Sequence, residues 1–228
     1  LKTIRVTLPE DQGTADPRPM PVPRNLDYDS WLGPAPEAPF CEDRVHPQTS
    51  YGRPGWMQIE QYCHGMITNW GSHMIDIAQW GNGTEDTSPV EIEAGAEFPY
   101  RGLFDVHTTF HAEAVYANGV RLTMESGDHP GVRFEGDQGW IFVSREEIQA
   151  SNREILRQEI GESEVKLPRS TNHIKNFLDC LRSRQDPVAP VEAGHRSNTV
   201  CILAHLAMKL GRRLRWDPGA ERFIDDDE

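Results

Sequence analysis

Asn69 and His73 lie four residues apart, so a helix through them would stack an amide and an imidazole on one face, one turn apart. The stretch from Tyr62 to Gly83 has the marks of such a helix. It enters through Gly65, and Thr68 or Asn69 can cap the first free N–H groups. Ile75, Ala78 and Trp70 can turn toward a core, and Gly81 with Gly83 ends the helix in left-handed fashion. A histidine near its unperturbed pKa can take the proton of a hydroxyl group if something fixes its tautomer. Asp76, three residues on, can orient the ring or serve as an ordinary surface carboxylate. A structural histidine would have the same spacing, so spacing alone gives a candidate base and no more.

Other side chains could bind a polar ligand, each with a plainer reading beside it. Trp31 can stack on a sugar ring, or pin its own loop to the body of the protein. His64, next to Cys63, precedes the helix closely enough to touch a substrate. His195 and Arg196 fall near the start of a late helix, where a helix N-terminus and a cation can hold an anionic or polyhydroxylated ligand. A cap and a surface ion pair would look the same. His46, Arg53 and Trp56 sit where a polar substrate could be met, or are packing residues. His107, His111 and Glu113 alternate along strand-like sequence, but a metal needs three or four converging ligands, and none is expected here. The four cysteines are scattered, fit neither a zinc pattern nor a disulfide framework, and read as free thiols.

The formal net charge of −13 counts against nucleic acid or an anionic membrane as partner, since both need a positive surface. No apolar run approaches the roughly 20 residues of a membrane span, and no signal-peptide pattern is present. Asp225 to Glu228 reads as a solvated tail. No Gly-x-Gly-x-x-Gly lies between a strand and a helix, and no P-loop occurs. The glycines from Gly131 to Gly139 fall inside strand-like sequence. A nucleotide-binding half is not evident.

Ile4, Val6 and Leu8 alternate with polar residues, predicting a first strand. Residues 10–54 form a long proline-rich loop or arm; with Pro9, this region holds ten of the seventeen prolines. Within it Asp27 can cap a short turn that Gly33-Pro34 ends. Strands are expected over Val90–Phe98, Val106–Ala117 and Val120–Ser126, the last two joined at Asn118-Gly119, a strong hairpin signal. In that register Val115, Val120, Leu122 and Met124 share one face, and Val106, Phe110, Ala112, Ala114 and Tyr116 the other, so both faces look partly apolar. Gly131–Phe134 and Gly139–Val143 add two strands. Arg145–Gln158 is a charged helix or a surface excursion. Asn172–Arg184, capped by Ser170 or Thr171, carries an apolar stripe of Ile174, Phe177, Leu178 and Leu181. Glu192–Leu210 carries another of Val200, Leu203, Ala204, Ala207 and Leu210, and Leu214–Trp216 gives a last strand. The order predicts an α+β fold: a largely antiparallel open sheet with helices on one face, the other face available to another subunit. One domain over 1–228 is expected.

The run Asn69-Trp-Gly-Ser-His-Met-Ile-Asp-Ile-Ala-Gln-Trp-Gly81 resembles the active-site helix in the C-terminal domain of the Gfo/Idh/MocA oxidoreductases. Asp27 to Pro36 and Pro190 to Ser197 resemble segments of a bacterial branch of that family, in the same order. The resemblance implies the substrate-binding and oligomerisation domain of an NAD(P)-dependent dehydrogenase of a sugar, cyclitol or related polyol. It implies His73 and Asn69 as catalytic residues, with Trp31, His64, Trp70, His195 and Arg196 around the substrate. It further implies a dinucleotide-binding domain of about 100–150 residues before Leu1, carrying a lysine of the site and binding NAD or NADP, and assembly as a homodimer or homotetramer. The chain alone would be inactive. Asn69 departs from the family's acidic residue: it can hydrogen-bond a hydroxyl but cannot take its proton. Two other readings stay open, an NAD-dependent glycosidase of the same family and a non-catalytic carbohydrate-binding or assembly module. Neither the sugar nor the compartment, cytoplasmic or periplasmic, is legible.

Overall fold

The computed structural model describes residues 1–11, 13–46 and 55–226; Arg53 and the tail residues Asp227 and Glu228 lie outside them. Nine strands form one sheet. They are β1 (Thr3–Leu8), β2 (Glu91–Glu97), β3 (Thr109–Val115), β4 (Arg121–Ser126), β5 (Gly131–Gly136), β6 (Gly139–Val143), β7 (Ile148–Ala150), β8 (Leu214–Asp217) and β9 (Arg222–Phe223). Their order is β7-β6-β5-β1-β4-β3-β2-β8-β9. All pairs are antiparallel except β1 with β4. The parallel pair places the first strand in mid-sheet, where Ile4, Val6 and Leu8 are fully buried.

Two helices cover one face, α3 (Trp70–Asn82) and α5 (Val191–Leu210). Two short ones, α1 (Tyr28–Leu32) and α2 (Glu42–Val45), lie in the proline-rich arm, and α4 (His173–Ser183) precedes α5. The core joins Ile4, Val6, Leu8, Leu122 and Met124 from the sheet to Met74, Ile75 and Ala78 of α3. Val200, Leu203, Ala204 and Ala207 of α5 complete it. Burying one such aliphatic side chain contributes about 1.5–3 kcal/mol. In the arm Asp27 caps α1 through Ser30 N–H at 3.0 Å, as expected, and Gly33 ends it.

The hairpin turns at Asn118-Gly119 as expected, but the faces differ from the sequence reading. Ala112 pairs with Met124 and Ala114 with Leu122, so these four point to one core. Val115 pairs with Arg121 on the opposite face, which also carries Arg5, His111, Glu113, Arg133 and Glu135. Arg121 pairs with Glu113 at 2.7 Å and Arg133 with Glu135 at 2.9 Å on that face. It is therefore a charged surface interrupted by Val115, Trp140 and Phe142, rather than a second apolar one. A two-residue turn would set Ala117 opposite Val120; instead Tyr116 N–H donates to the Val120 carbonyl at 3.0 Å, so the turn holds three residues and the pairing shifts by one.

Several local expectations also shift. Gly83, at φ +66°, ends α3, whereas Gly81 lies where a Cβ would meet the Phe134 ring at 2.3 Å. Asn172, not Ser170 or Thr171, caps α4 by accepting from Lys175 N–H at 2.8 Å. Arg145–Gln158 holds β7 and a short 3-10 turn rather than a helix. The α4 stripe is present, but Ile174, Phe177, Leu178 and Leu181 are all exposed, as is Leu210 at the end of α5. Amphipathic spacing gives a helix its face; it does not supply what covers that face.

Candidate active site on helix α3

At 100° per residue, Asn69, His73, Asp76 and Trp80 form one stripe along α3, opposite the buried Gly71, Ile75 and Ala78. Asn69 stands at the N-cap position without capping through its side chain. Instead its Nδ2 donates to Met57 Sδ at 3.2 Å, and Ser72 Oγ donates to its backbone carbonyl. Its Oδ1 makes no hydrogen bond among the described residues. His73 is exposed, and its ring nitrogens are free of hydrogen bonds among the described residues. The edge of Trp70 lies 6.1 Å away by centroids, and Arg145 sits over the Trp70 ring at 5.2 Å. Trp70, Met74 and Arg145 also line a cavity of about 310 Å³ with Asp128, His129 and Phe142.

Asp76 does not orient the His73 ring. Its Oδ1 accepts from Ser197 Oγ of α5 at 2.8 Å, and so the carboxylate ties the two helices together. It faces a second cavity of about 690 Å³, lined also by Ser72, Trp80, Glu85, His173 and His195. Burial raises the Glu85 carboxyl, and the nearby Asp76 and Asp86 raise it further.

The other candidates are spread out. Trp31 stacks on Tyr28 at 5.7 Å and meets the Tyr62 ring edge-on at 5.3 Å, within a small cluster of Leu32, Phe40 and Val45. That contact pins the arm. His64 stacks on His205 of α5 at 4.2 Å, and burial holds both imidazoles below their ordinary pKa. His195 bonds Glu221 through Nε2 at 3.0 Å, and Arg196 bonds Glu192, the Pro218 carbonyl and the same Glu221. These two fasten the C-terminal segment to the start of α5. Among the described residues, no hydrogen bond or ring contact joins Trp31, His64 or His195 to His73. His107 is buried beside Asp11 at 3.6 Å, whereas His111 lies on the outer sheet face, so the histidines of that strand do not converge.

Sequence reasoning missed Met57, Arg145, Glu60, His205 and Lys209. Two signals for the last three were present: Glu60 and His64 are four residues apart, as are His205 and Lys209.

Among the described residues no phosphate cradle for a dinucleotide is formed. The glycine-led turn before α3 is the nearest thing to a phosphate cradle, but Asp11 occupies its open side. Asp11 Oδ2 accepts from Met66 N–H at 2.7 Å, and a Cβ on Gly65 (φ +70°) would lie 2.5 Å from it. A carboxylate there would repel a pyrophosphate.

Solved structures share the fold. A structure of an aldose-aldose oxidoreductase from Caulobacter crescentus complexed with glycerol aligns with a TM-score of 0.58 at 13% identity, over 94% of this chain and 55% of that one. A putative oxidoreductase from Thermotoga maritima aligns at 0.57 and 16% identity, over 93% and 54%. The WlbA dehydrogenase from Bordetella pertussis, in complex with NADH and UDP-GlcNAcA, aligns at 0.56 and 14%, over 95% and 54%. The chain thus spans about half the length of these proteins. No curated protein sequence matches it. The model of the oxidoreductase family C-terminal alpha/beta domain matches residues 10–228, and the chain belongs to that Gfo/Idh/MocA family.

Proposed function

We propose that this chain is the substrate-binding part of an NAD(P)-dependent oxidoreductase that acts on a sugar, cyclitol or related polyol. The observation that carries the reading is His73: an exposed imidazole with no hydrogen-bond partner among the described residues, one turn from Asn69 on a helix anchored to the sheet. Oxidising a secondary alcohol requires the hydroxyl proton to leave while hydride departs from carbon. A nicotinamide, held by a part of the complete protein outside these residues, would supply the hydride acceptor. In this reading His73 takes the hydroxyl proton, and Asn69 Oδ1 accepts from a neighbouring hydroxyl and fixes the ring's orientation. Trp70 gives the substrate an apolar wall beside His73, and Arg145, stacked on Trp70, holds a polar group at the same edge. The glycerol and UDP-GlcNAcA in complex with two of the fold relatives fit a polyhydroxylated class.

The open charged face of the sheet is proposed as the assembly surface of a homodimer or homotetramer; sedimentation of an Arg121→Glu, Arg133→Glu variant tests this. Native mass spectrometry of the complete protein tests the cofactor. Co-purified NAD or NADP supports the reading, and a complete protein that neither carries nor binds a dinucleotide refutes it. Sugar release without net reduced nicotinamide would move the assignment to an NAD-dependent glycosidase.

A further inference from the structure

The segment just before α3 carries Glu60 and His64, and α5 turns His205 and Lys209 toward them. His205 Nε2 lies 3.1 Å from Glu60 Oε1, and Lys209 Nζ lies 2.8 Å from Glu60 Oε2. The two imidazoles stack at 4.2 Å. One ligand atom from each of Glu60, His64 and His205 lies within 4.8 Å of the other two. Nδ1 of His64 and Nδ1 of His205 are both buried without a hydrogen-bond partner, and His205 as a whole is 3% exposed. Buried imidazole nitrogens are ordinarily satisfied, so the cluster has more acceptor capacity than the protein uses.

We propose that Glu60, His64 and His205 form a binding site for a divalent transition-metal ion of the zinc class, pinning the segment before α3 to α5. The donor set is two imidazole nitrogens and one carboxylate oxygen, which suits zinc with a water in the fourth position. Two ligands of a tetrahedral zinc at about 2.0–2.1 Å stand about 3.3 Å apart, close to the Glu60–His205 separation. The shallower His64 completes the set by turning out of its stack on His205, so that the two in-plane lone pairs meet at one point. Both rings must be neutral to act as ligands. Lys209 bonds the second carboxylate oxygen, leaving the first for the ion. Its positive charge also opposes the ion, which gives the proposal a distinctive signature.

The test uses untagged complete protein, stripped with a chelator and titrated with Zn²⁺, and with Co²⁺ as a spectroscopic probe. Expected is one equivalent per chain and visible Co²⁺ bands of a four-coordinate site. His64→Ala should weaken binding by at least about a hundredfold, beyond what losing an outer-shell group does. Lys209→Met should bind as tightly as the wild type or tighter. Should His64→Ala fail to fold by circular dichroism, the Lys209→Met titration and the Co²⁺ spectrum decide. Octahedral Co²⁺ bands, unchanged affinity in folded His64→Ala, or weaker binding in Lys209→Met would each mean an adventitious ion only and overturn the proposal. None of these readouts depends on turnover, so they stand apart from the oxidoreductase reading.

Discussion

Helix α3 keeps its register against the sheet through one fully buried amide, and this can be measured. Gln79 Oε1 accepts from Tyr116 Oη at 2.6 Å and from Thr84 Oγ1 at 2.9 Å, while its Nε2 donates to the Thr87 carbonyl at 2.8 Å. Gln79→Leu strands the Tyr116 hydroxyl, which is 2% exposed, at a cost of about 1–3 kcal/mol. It also removes two further bonds. Thr84 Oγ1 retains a longer contact to the Gln79 backbone carbonyl at 3.4 Å, so these add about 0.5–1.5 kcal/mol each. The total is about 2–6 kcal/mol. Tyr116→Phe alone loses one bond and strands nothing, because Gln79 keeps Thr84, and should cost about 0.5–1.5 kcal/mol. In the Gln79→Leu background, however, Tyr116→Phe removes the stranded hydroxyl and should restore about 1 kcal/mol or more. Urea unfolding of the four proteins gives the cycle directly. Additivity within about 0.5 kcal/mol would show that the two side chains do not share a bond, and the account of how α3 is held would fall.

Three other outcomes follow from burial and charge. Leu122→Ala, at a fully buried site in mid-sheet, should cost about 2.7–5 kcal/mol by urea unfolding. Phe177→Ser, on the exposed α4 stripe, should stay within about 0.5 kcal/mol; a large loss would mean that α4 packs where the structure leaves it open. Glu85, raised above its ordinary 4.5, binds more protons folded than unfolded. Stability should therefore fall as pH rises from about 4.5 through its folded pKa. Glu85→Gln should flatten that slope in urea midpoints taken across the window, and an unchanged slope would contradict it.

The strand and helix positions were largely legible because alternation and 3.6-residue spacing are local. Facing was less so: shifting which residues pair beside Asn118-Gly119 by one moves Leu122 and Met124 from one face to the other. Only the ladder, with Ala112 opposite Met124, settles it. At the site, Asn69, Trp70 and His73 come together because a single helix carries them. Of the two readings of Asp76 the structural one holds, because Ser197, 121 residues away, donates to its carboxylate. Likewise the pairing of His195 and Arg196 with Glu221 is not visible from spacing. Glu60 and His205, 145 residues apart, could not be paired from spacing at all. Long-range side-chain partnerships are set by the packing of α3 and α5 on the sheet, which periodicity predicts only in outline.

The central claim is that His73 takes the substrate's hydroxyl proton. Its most direct test is a single-turnover mixing experiment with the complete protein, its nicotinamide cofactor and a turned-over polyol, following nicotinamide absorbance. The account predicts that His73→Asn slows hydride transfer by about 10²–10⁴-fold with substrate affinity little changed. It also predicts that the wild-type rate depends on pH through one group that must be deprotonated, a dependence lost in the variant. A His73→Asn protein transferring hydride at the wild-type rate would contradict it.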